Sequence, residues 1–361
     1  MSERARALVL AHGWNATCYQ VLNPGIAHWF DPAGDAVVGY ARFGRTRVVV
    51  GAPVCAHERL EDVARSFEAD AAHTGERVLF FSAGARLERI YAMRGDHCLV
   101  PLGAQPSWDP REWDEVVRTK ASLRAQLRRA ANKGVRVRRL RSGSNGELHE
   151  DAPHATGPDL HAALRAVLDE WLAGRGLPPL QFMTHADLLD HLEDRRVYLA
   201  EREGVPVGFL LATPVPAQAG WLVEQWPRAA AAPNGTTHLL VDAAMRDAAV
   251  SGAGFVSLGL APLSRRGDSA GHEPPQWMRP VLGWIRAHGR RFYNFDGLEG
   301  FKASLQPGAW TPVFAIAQGR RFTPSMLRAV AGVFSGGSPE WFVARALAQA
   351  AKQEMADGLH R

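Results

Sequence analysis

Two charged side chains follow one apolar run in the second half of the chain. The stretch LVEQWPR places Glu224 and Arg228 four residues apart, just where a predicted strand ends. A carboxylate at the end of a central strand is suited to act as a general base. An arginine there could bind a carboxylate, a phosphate or a developing oxyanion. The alternative is an ordinary exposed ion pair between the two side chains.

A loop of small residues comes next and leads into a predicted helix. The first turn of a helix leaves backbone N–H groups without partners, and the helix dipole favours anions at that end. Three polar side chains lie on this loop and helix start, and we expect them to bind substrate: Asn234, Thr236 and His238. Residues of these types also serve as simple caps and turn formers, so that interpretation stays open.

Lys302 is unusual because the chain has 38 arginines but only four lysines. In such a composition, a lysine within an apolar stretch hints at a need for a compact ammonium group. An ammonium there could stabilise negative charge on a reacting carbonyl oxygen. The alternative is a lysine whose stem covers Leu305 and Trp310 while its charged end reaches water.

Basic residues are concentrated in one segment. Residues 118–141 carry ten Lys or Arg and no Asp or Glu, twice the net charge of +5 of the whole chain. Such a block predicts a polyanionic partner, whether nucleic acid, anionic lipid headgroups or a polyphosphate, and its alternative is a solvated helix face. If the partner is tRNA, we expect its phosphates to contact Arg124, Arg128, Arg129, Arg136, Arg138 and Arg139.

Strand-like and helix-like patterns alternate along both halves of the chain. In the first half we predict strands at 36–43, 46–52, 77–82, 96–102 and 135–140, and helices at 57–73, 85–93 and about 110–132. In the second half we predict strands at 197–203, 205–214, 220–226 and 254–260, and helices at 159–173, 185–192, 237–250, 324–334 and 339–355. The order of hairpin, strand, loop, helix and strand is that of the acetyltransferase-type (GNAT-like) α/β fold, and it occurs twice.

The length of 361 residues suggests two domains. A Gly-, Ser- and Pro-rich stretch without periodicity interrupts the pattern and predicts a linker. The predicted organisation is therefore an N-terminal domain at 1–145, a linker at 146–158, a C-terminal catalytic domain at 159–322 and a helical extension at 323–361.

Composition and motifs exclude several classes of protein. Apolar residues make up 46% and charged residues 22%, which are globular averages, and no run is long enough to cross a membrane. The three cysteines and the scattered histidines form no disulfide or zinc pattern, so we expect a cytoplasmic protein without a metal. Neither a P-loop nor a dinucleotide fingerprint is present, and we predict no cofactor. The loop before the helix at 237–250 keeps Gly235 but lacks the glycine-rich spacing that holds coenzyme A, which weakens an acyl-CoA donor without excluding it.

Three stretches resemble the C-terminal catalytic domain of the phosphatidylglycerol lysyltransferases, the multiple peptide resistance factors. GFVSLGLAPLS, at 254–264, is similar to the strand and turn of that family. FYNFDGLEGFKASLQPGAWTPVFAI, at 292–316, resembles the family's Phe-Lys signature and contains Lys302. VVGYARFGRTRVVVGAPVC, at 37–55, resembles its first hairpin, with Ala52 where the family carries Asp.

This resemblance implies two tandem GNAT-like acyltransferase domains and an aminoacyl-tRNA donor. The acceptor would be a lipid hydroxyl or, as in related peptidoglycan-building ligases, an amine. The family's multi-helix membrane half is not in this sequence, so we expect at most peripheral membrane contact and leave the acceptor open. The pocket wall is expected to include Ser264, Tyr293, Asn294 and Asp296. Two rivals remain: an acyl-CoA-dependent N-acyltransferase, and a non-catalytic module that binds nucleic acid or a membrane surface.

Overall fold

One continuous β-sheet runs through both halves of the chain. The structure is a computed structural model, and it describes residues 2–142, 148–149, 158–174, 181–184, 189, 192–267, 271–280, 282–283 and 294–340. Its strands are β1 Ala27–Phe30, β2 Val37–Phe43, β3 Thr46–Val50, β4 Arg77–Ala83, β5 His97–Trp108, β6 Val135–Ser142, β7 Leu148–His149, β8 Arg196–Arg202, β9 Val205–Val215, β10 Gly220–Gln225, β11 Phe255–Ser257, β12 Ala261–Pro262 and β13 Ala309–Gln318. Its helices are α1 Glu3–His12, α2 Leu60–His73, α3 Ala85–Arg94, α4 Trp113–Thr119, α5 Ala121–Asn132, α6 Pro158–Ala173, α7 Thr236–Val250, α8 Phe295–Ser304 and α9 Pro324–Phe334.

The order of the strands shows that the two halves share the sheet. The order is β1-β2-β3-β4-β13-β5-β11-β10-β9-β8-β6-β7, with β12 beside β5. Among the strand pairs in the described ranges, β3 with β4 and β10 with β11 are parallel, and the others are antiparallel. Each parallel pair is joined through a helix, α2 in the first half and α7 in the second. This repeated unit is the predicted α/β arrangement of two tandem GNAT-like halves.

Two strands cross between the halves. β13, the last strand in the sequence, lies between β4 and β5 and pairs antiparallel with both. β5 in turn pairs with β11 of the second half. The two halves therefore exchange strands and complete each other's part of the sheet.

Helices cover both faces of this sheet and enclose four apolar clusters among the described residues. In the first half, α2 and α3 cover one face and α1 and α9 the other; in the second half, α5 and α7 cover one face and α6 the other. Val223 packs against α7, whereas the neighbouring Leu222 joins the cluster that also contains Tyr19 of the first half. This alternation along β10 sends successive side chains to opposite faces of the sheet.

Most predicted elements are confirmed, with a few corrections. The helix predicted at about 110–132 is a 3-10 turn followed by α4 and α5, with an extended backbone (ψ 96°) at Lys120 between them. The strand predicted at 254–260 is only the three residues of β11, and the one at 96–102 continues as β5 to Trp108. The helix predicted at 339–355, most of the one at 185–192 and most of the predicted linker lie outside the described residues.

Candidate active site

A cavity of about 390 Å³ opens where α5, the end of β10 and the start of α7 meet α8. The cavity brings together five of the residues singled out in the sequence: Arg129, Arg228, Asn234, Thr236 and His238. Its other lining residues are Gln126, Trp226, Pro233, Gly235, Thr237 and Phe301. Two arginines and a helix N-terminus on one cavity make it suited to an anionic group.

The start of α7 is shaped by a glycine that approaches α5. Gly235 has φ +99°, and a Cβ built on it would lie 2.3 Å from the carbonyl oxygen of Gln126. Only glycine therefore fits this position. Thr236 is fully buried and its hydroxyl donates to the carbonyl of Pro233 at 2.7 Å, so that hydroxyl closes the turn.

One wall of the cavity is aromatic. The ring centroids of Trp226 and Phe301 are 6.0 Å apart, and the imidazole of His238 meets Phe301 edge-on at 5.2 Å. Burial lowers the pKa of His238 below its ordinary value, because the charged form loses hydration. The imidazole is therefore neutral at neutral pH and able to take up a proton.

Lys302 lies behind this wall, on the helix that carries Phe301. It is only 2% exposed, so the snorkelling alternative is wrong. Its Nζ donates to the carbonyl oxygens of Gly259 and Leu260, both at 2.9 Å, and lies 6.0 Å from the ring centroid of Trp226. Burial lowers the pKa of Lys302 to about 7, so ammonium and neutral amine coexist near neutral pH.

The side chains predicted around Lys302 have other roles in the described structure. The side chain of Asn294 caps α8 by accepting from the N–H of Gly297 at 2.9 Å, and Asp296 is exposed in the first turn of that helix. The hydroxyl of Ser264 accepts from the N–H of Arg266 at 3.2 Å. None of the three is among the described residues that line the cavity, and Tyr293 lies outside the described residues.

Glu224 and Arg228 do not pair with each other. The carboxylate of Glu224 lies on the face of β10 opposite α7, where its side chain is 6% exposed and its Oε2 is 3.5 Å from Nε of Arg195. Arg228 is exposed and lines the cavity. The predicted alternative of a surface pair between the two is therefore wrong, because Glu224 lies at a bulge of β10 with its side chain buried beside Arg195.

The predicted tRNA-contacting arginines fall into two groups. Arg124 donates to backbone carbonyls at the end of α4, Arg138 pairs with Glu201 at 2.8 Å, and Arg139 pairs with Asp247 at 3.1 Å. By contrast, Arg128, Arg129 and Arg136 are exposed, and in the described ranges no ion pair or hydrogen bond engages them. Arg129 also reaches the cavity, so the basic segment and the cavity form one continuous surface.

Sequence reasoning missed Trp226 and Gln126 as cavity residues. Trp226 was visible in the sequence as an aromatic residue at the end of the predicted strand, two positions from Arg228. Gln126 could not be found this way, because it faces the cavity only through the packing of α5 against the loop at Gly235.

Other chemistries find less support in the described part of the chain. A G-x-S-x-G sequence occurs at 267–271, but a nucleophile elbow directly follows a strand, and the preceding strand β12 ends at Pro262. Within the described ranges, no group of three or more His, Cys, Asp or Glu side chains could hold a metal ion. Nor does any helix of those ranges have the length and apolar character needed to cross a membrane.

The fold and the cavity define an α/β protein of the acetyltransferase-like class, built from two such halves. The family model "Phosphatidylglycerol lysyltransferase, C-terminal" matches residues 6–317, and the chain belongs to that family. It is similar to a phosphatidylglycerol lysyltransferase from Bacillus subtilis (strain 168), with 23% identity over 312 residues, 84% of this chain and 34% of that protein. The chain therefore spans about a third of the length of this relative.

Solved structures share the fold. A C-terminal DUF2156 domain from Agrobacterium fabrum superposes with a TM-score of 0.75 at 24% identity, covering 93% of this chain and 97% of that one. The L-PGS structure from Bacillus licheniformis gives a TM-score of 0.74 at 21% identity, covering 92% and 95%. FemX is more distant, with a TM-score of 0.51 at 10% identity over 89% and 94% of the two chains.

Proposed function

We propose that this protein is an aminoacyltransferase that moves an aminoacyl group from aminoacyl-tRNA to a hydroxyl or amine acceptor. The observation that carries this proposal is Lys302, a buried lysine with Nζ held by two backbone carbonyls behind the aromatic wall of a cationic cavity. Holding a desolvated amine at a fixed point is costly, and such costs are typical of functional sites. Membership of the lysyltransferase family supports aminoacyl transfer.

The reaction needs positioning more than it needs activation, because an aminoacyl ester is already reactive. The acceptor oxygen or nitrogen attacks the ester carbonyl carbon, and the bond from that carbon to the ribose oxygen of the tRNA breaks. The acceptor proton passes to the neutral imidazole of His238 and from there to the departing ribose oxygen. The ammonium form of Lys302, behind the aromatic wall, supplies the positive charge that stabilises the oxyanion of the tetrahedral intermediate.

The cavity surroundings suit the end of a tRNA. Arg129, Arg228 and the N-terminus of α7 would bind phosphates, and the aromatic wall of Trp226 and Phe301 would stack with the terminal base. The exposed arginines Arg128 and Arg136 extend the cationic surface along the basic segment. The pyrophosphate of an acyl-CoA would make similar contacts with the two arginines and the helix N-terminus. An assay that compares the two donors is therefore needed.

The acceptor follows from the relatives by analogy. The Bacillus subtilis relative is a phosphatidylglycerol lysyltransferase, which supports a phospholipid acceptor and peripheral contact with a membrane. Since the chain spans about a third of that protein, an amine or hydroxyl compound free in solution is the other acceptor to test.

A transfer assay tests both donor and acceptor. The full chain is incubated with radiolabelled lysyl-tRNA, alanyl-tRNA or acetyl-CoA, each with phosphatidylglycerol vesicles or with a low-molecular-weight cell extract. We expect label to move from at least one aminoacyl-tRNA and not from acetyl-CoA. Transfer from acetyl-CoA alone would replace this proposal with an acyl-CoA-dependent enzyme, and tight tRNA binding without any turnover would replace it with a binding module.

A further inference from the structure

The two carbonyls that hold Lys302 lie in a gap between two short strands. β11 pairs with β5 up to Ser257, and β12 pairs with the same strand from Ala261 onward. The residues between them have no ladder partner on β5 in the described structure. Two of them, Gly259 and Leu260, present their carbonyl oxygens to Nζ of Lys302 instead, both at 2.9 Å. The site of the lysine amine is therefore built on a local interruption of the sheet.

A proline on β5 explains this interruption. Between the two paired stretches, β5 carries Gln105 and Pro106, although β5 is a central strand with β13 on its other side. A proline has no N–H to donate, so within sheets it is confined to edges and bulges. The carbonyl of Pro106 accepts from the hydroxyl of Ser257 at 2.8 Å, which shows that the polar groups of Pro106 face β11 and β12. The missing N–H therefore breaks this ladder and leaves carbonyls after β11 free for a donor from another element.

Ser257 ties the gap to β5 through both functions of its hydroxyl. The side chain is fully buried, and besides donating to Pro106 its Oγ accepts from the N–H of Gly259 at 3.0 Å. Gly259 has φ +69°, a conformation that glycine adopts without strain. The carbonyl of that same glycine accepts from Lys302. One buried hydroxyl thus fixes the residue that supplies an acceptor for the lysine.

β5 also holds the helix that carries Lys302. Nε1 of Trp108 donates to the carbonyl oxygen of Leu305 at 2.9 Å, and both side chains are buried. Leu305 is the residue at the end of α8 that follows its last helical turn. Carbonyls at a helix C-terminus lack partners within the helix, so the indole pairs a group that would otherwise be buried and unsatisfied. Neighbouring residues of one strand therefore hold both the acceptors of the lysine and the helix that presents it.

We propose that Ser257 and Trp108 are positioning residues for Lys302, through which β5 fixes the amine at the point where the reaction needs its charge. This inference rests on the proposed function and adds to it the two side chains that hold the lysine. Neither is among the described residues that line the cavity. Their effect on transfer therefore passes through Lys302.

The charged groups around Lys302 do not take part in these contacts. Burial is the cause that lowers the pKa of Lys302. In the described structure, the printed hydrogen bonds of the Ser257 hydroxyl and the Trp108 indole reach only backbone groups. A variant at either position thus changes the acceptors of the amine without adding or removing a charge. The charged and titratable residues on the surrounding elements are Arg129 of α5, Glu224 and Arg228 at the end of β10, His238 of α7, Arg265 and Arg266 after β12, and Asp296 and Glu299 of α8.

The titration of Lys302 measures this role without any substrate. The chain has four lysines, so lysine labelled with 13C at Cε gives four NMR signals, and Lys302→Met identifies the one from residue 302. Ser257→Ala should lower the pKa read from that signal by at least about 0.5 pH unit, because the buried ammonium loses a fixed acceptor. Trp108→Phe, which removes only the indole N–H, should lower it in the same direction. Folded variants that both titrate like the wild type would overturn the proposal.

Two further variants separate positioning from a general loss of stability. Ser257→Thr keeps the hydroxyl and should titrate like the wild type. Ser251→Ala is the matched control at the far end of α7, where the hydroxyl of Ser251 likewise donates to a carbonyl, that of Ala248, and accepts from Arg196, both at 3.0 Å. It should leave the pKa of Lys302 unchanged even where it lowers the unfolding temperature. An equal fall of the pKa in Ser251→Ala would show a global effect and contradict the positioning role. If Ser257→Ala does not fold, Trp108→Phe carries the same test.

The pH profile of transfer connects the position of the amine to the reaction. Because the ammonium form stabilises the oxyanion, Ser257→Ala should lower kcat at least about threefold at pH 8 and less at pH 6. The KM for aminoacyl-tRNA should stay within about twofold of the wild type, since neither residue lines the cavity. A loss of kcat that is equal at both pH values would speak for a merely structural role.

These measurements also separate the inference from the proposed function. A lowered pKa of Lys302 in both variants, without transfer from any aminoacyl-tRNA, leaves the positioning role in place and refutes the proposed function. Transfer from aminoacyl-tRNA whose pH profile responds to neither variant, with an unchanged titration of Lys302, does the reverse.

Discussion

Each half of the sheet contains a parallel strand pair joined through a helix, β3 with β4 and β10 with β11. The space at the end of the first pair is filled by a side chain, whereas a cavity opens beside the second. In the first half, the space after β4 is filled by Asn15, which donates to the carbonyl of Ser82 and accepts from the N–H of Gly84, both at 3.0 Å. A Cβ on Gly51, after β3, would lie 2.2 Å from the same asparagine. In the second half, Lys302 binds the carbonyls after β11 in the corresponding place, and a cavity opens beside it. A parallel strand pair joined through a helix thus serves as scaffold where the short neutral side chain of Asn15 fills the space beside it. The same kind of unit serves as a candidate active site where the long cationic side chain of Lys302 enters from α8.

The largest expected effect, and the strongest test of the difference between the two halves, comes from removing the amine of Lys302. Lys302→Ala should lower the transfer rate about 10²–10³-fold, the range for loss of one oxyanion donor. Lys302→Arg should restore little, because a planar guanidinium cannot occupy the point that Nζ takes between two carbonyls. Single-turnover rates with saturating aminoacyl-tRNA measure the effect. Near-normal turnover in a folded Lys302→Ala protein would refute the catalytic role.

The pH dependence of stability tests the burial of Lys302 without any substrate. Its pKa is about 7 in the folded chain and near the ordinary value of 10.5 when unfolded, so the unfolded chain binds the extra proton between these values. The free energy of unfolding of the wild type, relative to Lys302→Met, should therefore rise with pH by up to about 1.4 kcal/mol per pH unit in this window. Urea unfolding of both proteins at pH 7, 8 and 9 gives the difference. If the free energies of unfolding of the two proteins changed with pH in parallel, Lys302 would have to be solvated in the folded chain.

Asn15 should behave in the opposite way to Lys302. Asn15→Ala leaves a buried carbonyl at Ser82 and an N–H at Gly84 unpaired, and we expect a loss of about 1–3 kcal/mol in the free energy of unfolding. The transfer rate per folded molecule should stay unchanged. Denaturant titration and active-site-normalised kinetics measure the two quantities. A large loss of rate without loss of stability would mean that the first half contributes to the reaction directly.

The basic segment offers a finer contrast between exposed and internally paired arginines. Replacing Arg128 and Arg129 by Gln should weaken tRNA binding and reduce the slope of log affinity against log salt by about 0.7–0.9 for each lost phosphate contact. Replacing Arg138 and Arg139, which pair with Glu201 and Asp247, should change the slope less. Filter binding of tRNA at several salt concentrations measures the slope for each double variant. Equal slopes for both double variants would remove the distinction.

The smallest effect is expected at a membrane surface. The exposed part of the basic segment should attract anionic vesicles by about 1 kcal/mol for each Lys or Arg near the surface. Binding to phosphatidylglycerol vesicles in a flotation assay should therefore be weak and should disappear at high salt. Tight binding that survives high salt would favour a lipid acceptor held by apolar contacts.

Local patterns predicted the elements well, and long-range packing explains what they missed. The hairpin of β2 and β3 and the helices α2 and α7 follow from residue periodicity, which is a property of neighbouring residues. The insertion of β13 between β4 and β5 depends on pairing between strands more than 200 residues apart, which no local pattern encodes. The break at Lys120 likewise depends on α4 and α5 packing separately.

The candidate site was predictable to a similar extent. Arg228, Asn234 and His238 reach the cavity because they follow a strand and begin a helix, which the sequence shows. The partner of Glu224 was not predictable, because β10 has a bulge between Val223 and Gln225 and Arg195 comes from a different element. Side-chain direction at an irregular strand end is set by the fold, not by spacing.

The position of β13 has a consequence for synthesis on the ribosome. β4 is complete when residue 83 leaves the ribosome, and β3 is already made, but the strand on its other side, β13, begins only at residue 309. At roughly 5–20 residues per second, one edge of the nascent first half waits about 10–45 seconds for its partner strand. An exposed strand edge of this kind invites pairing with other chains. The first half is therefore expected to need protection by a chaperone until the strand that follows Lys302 has been made.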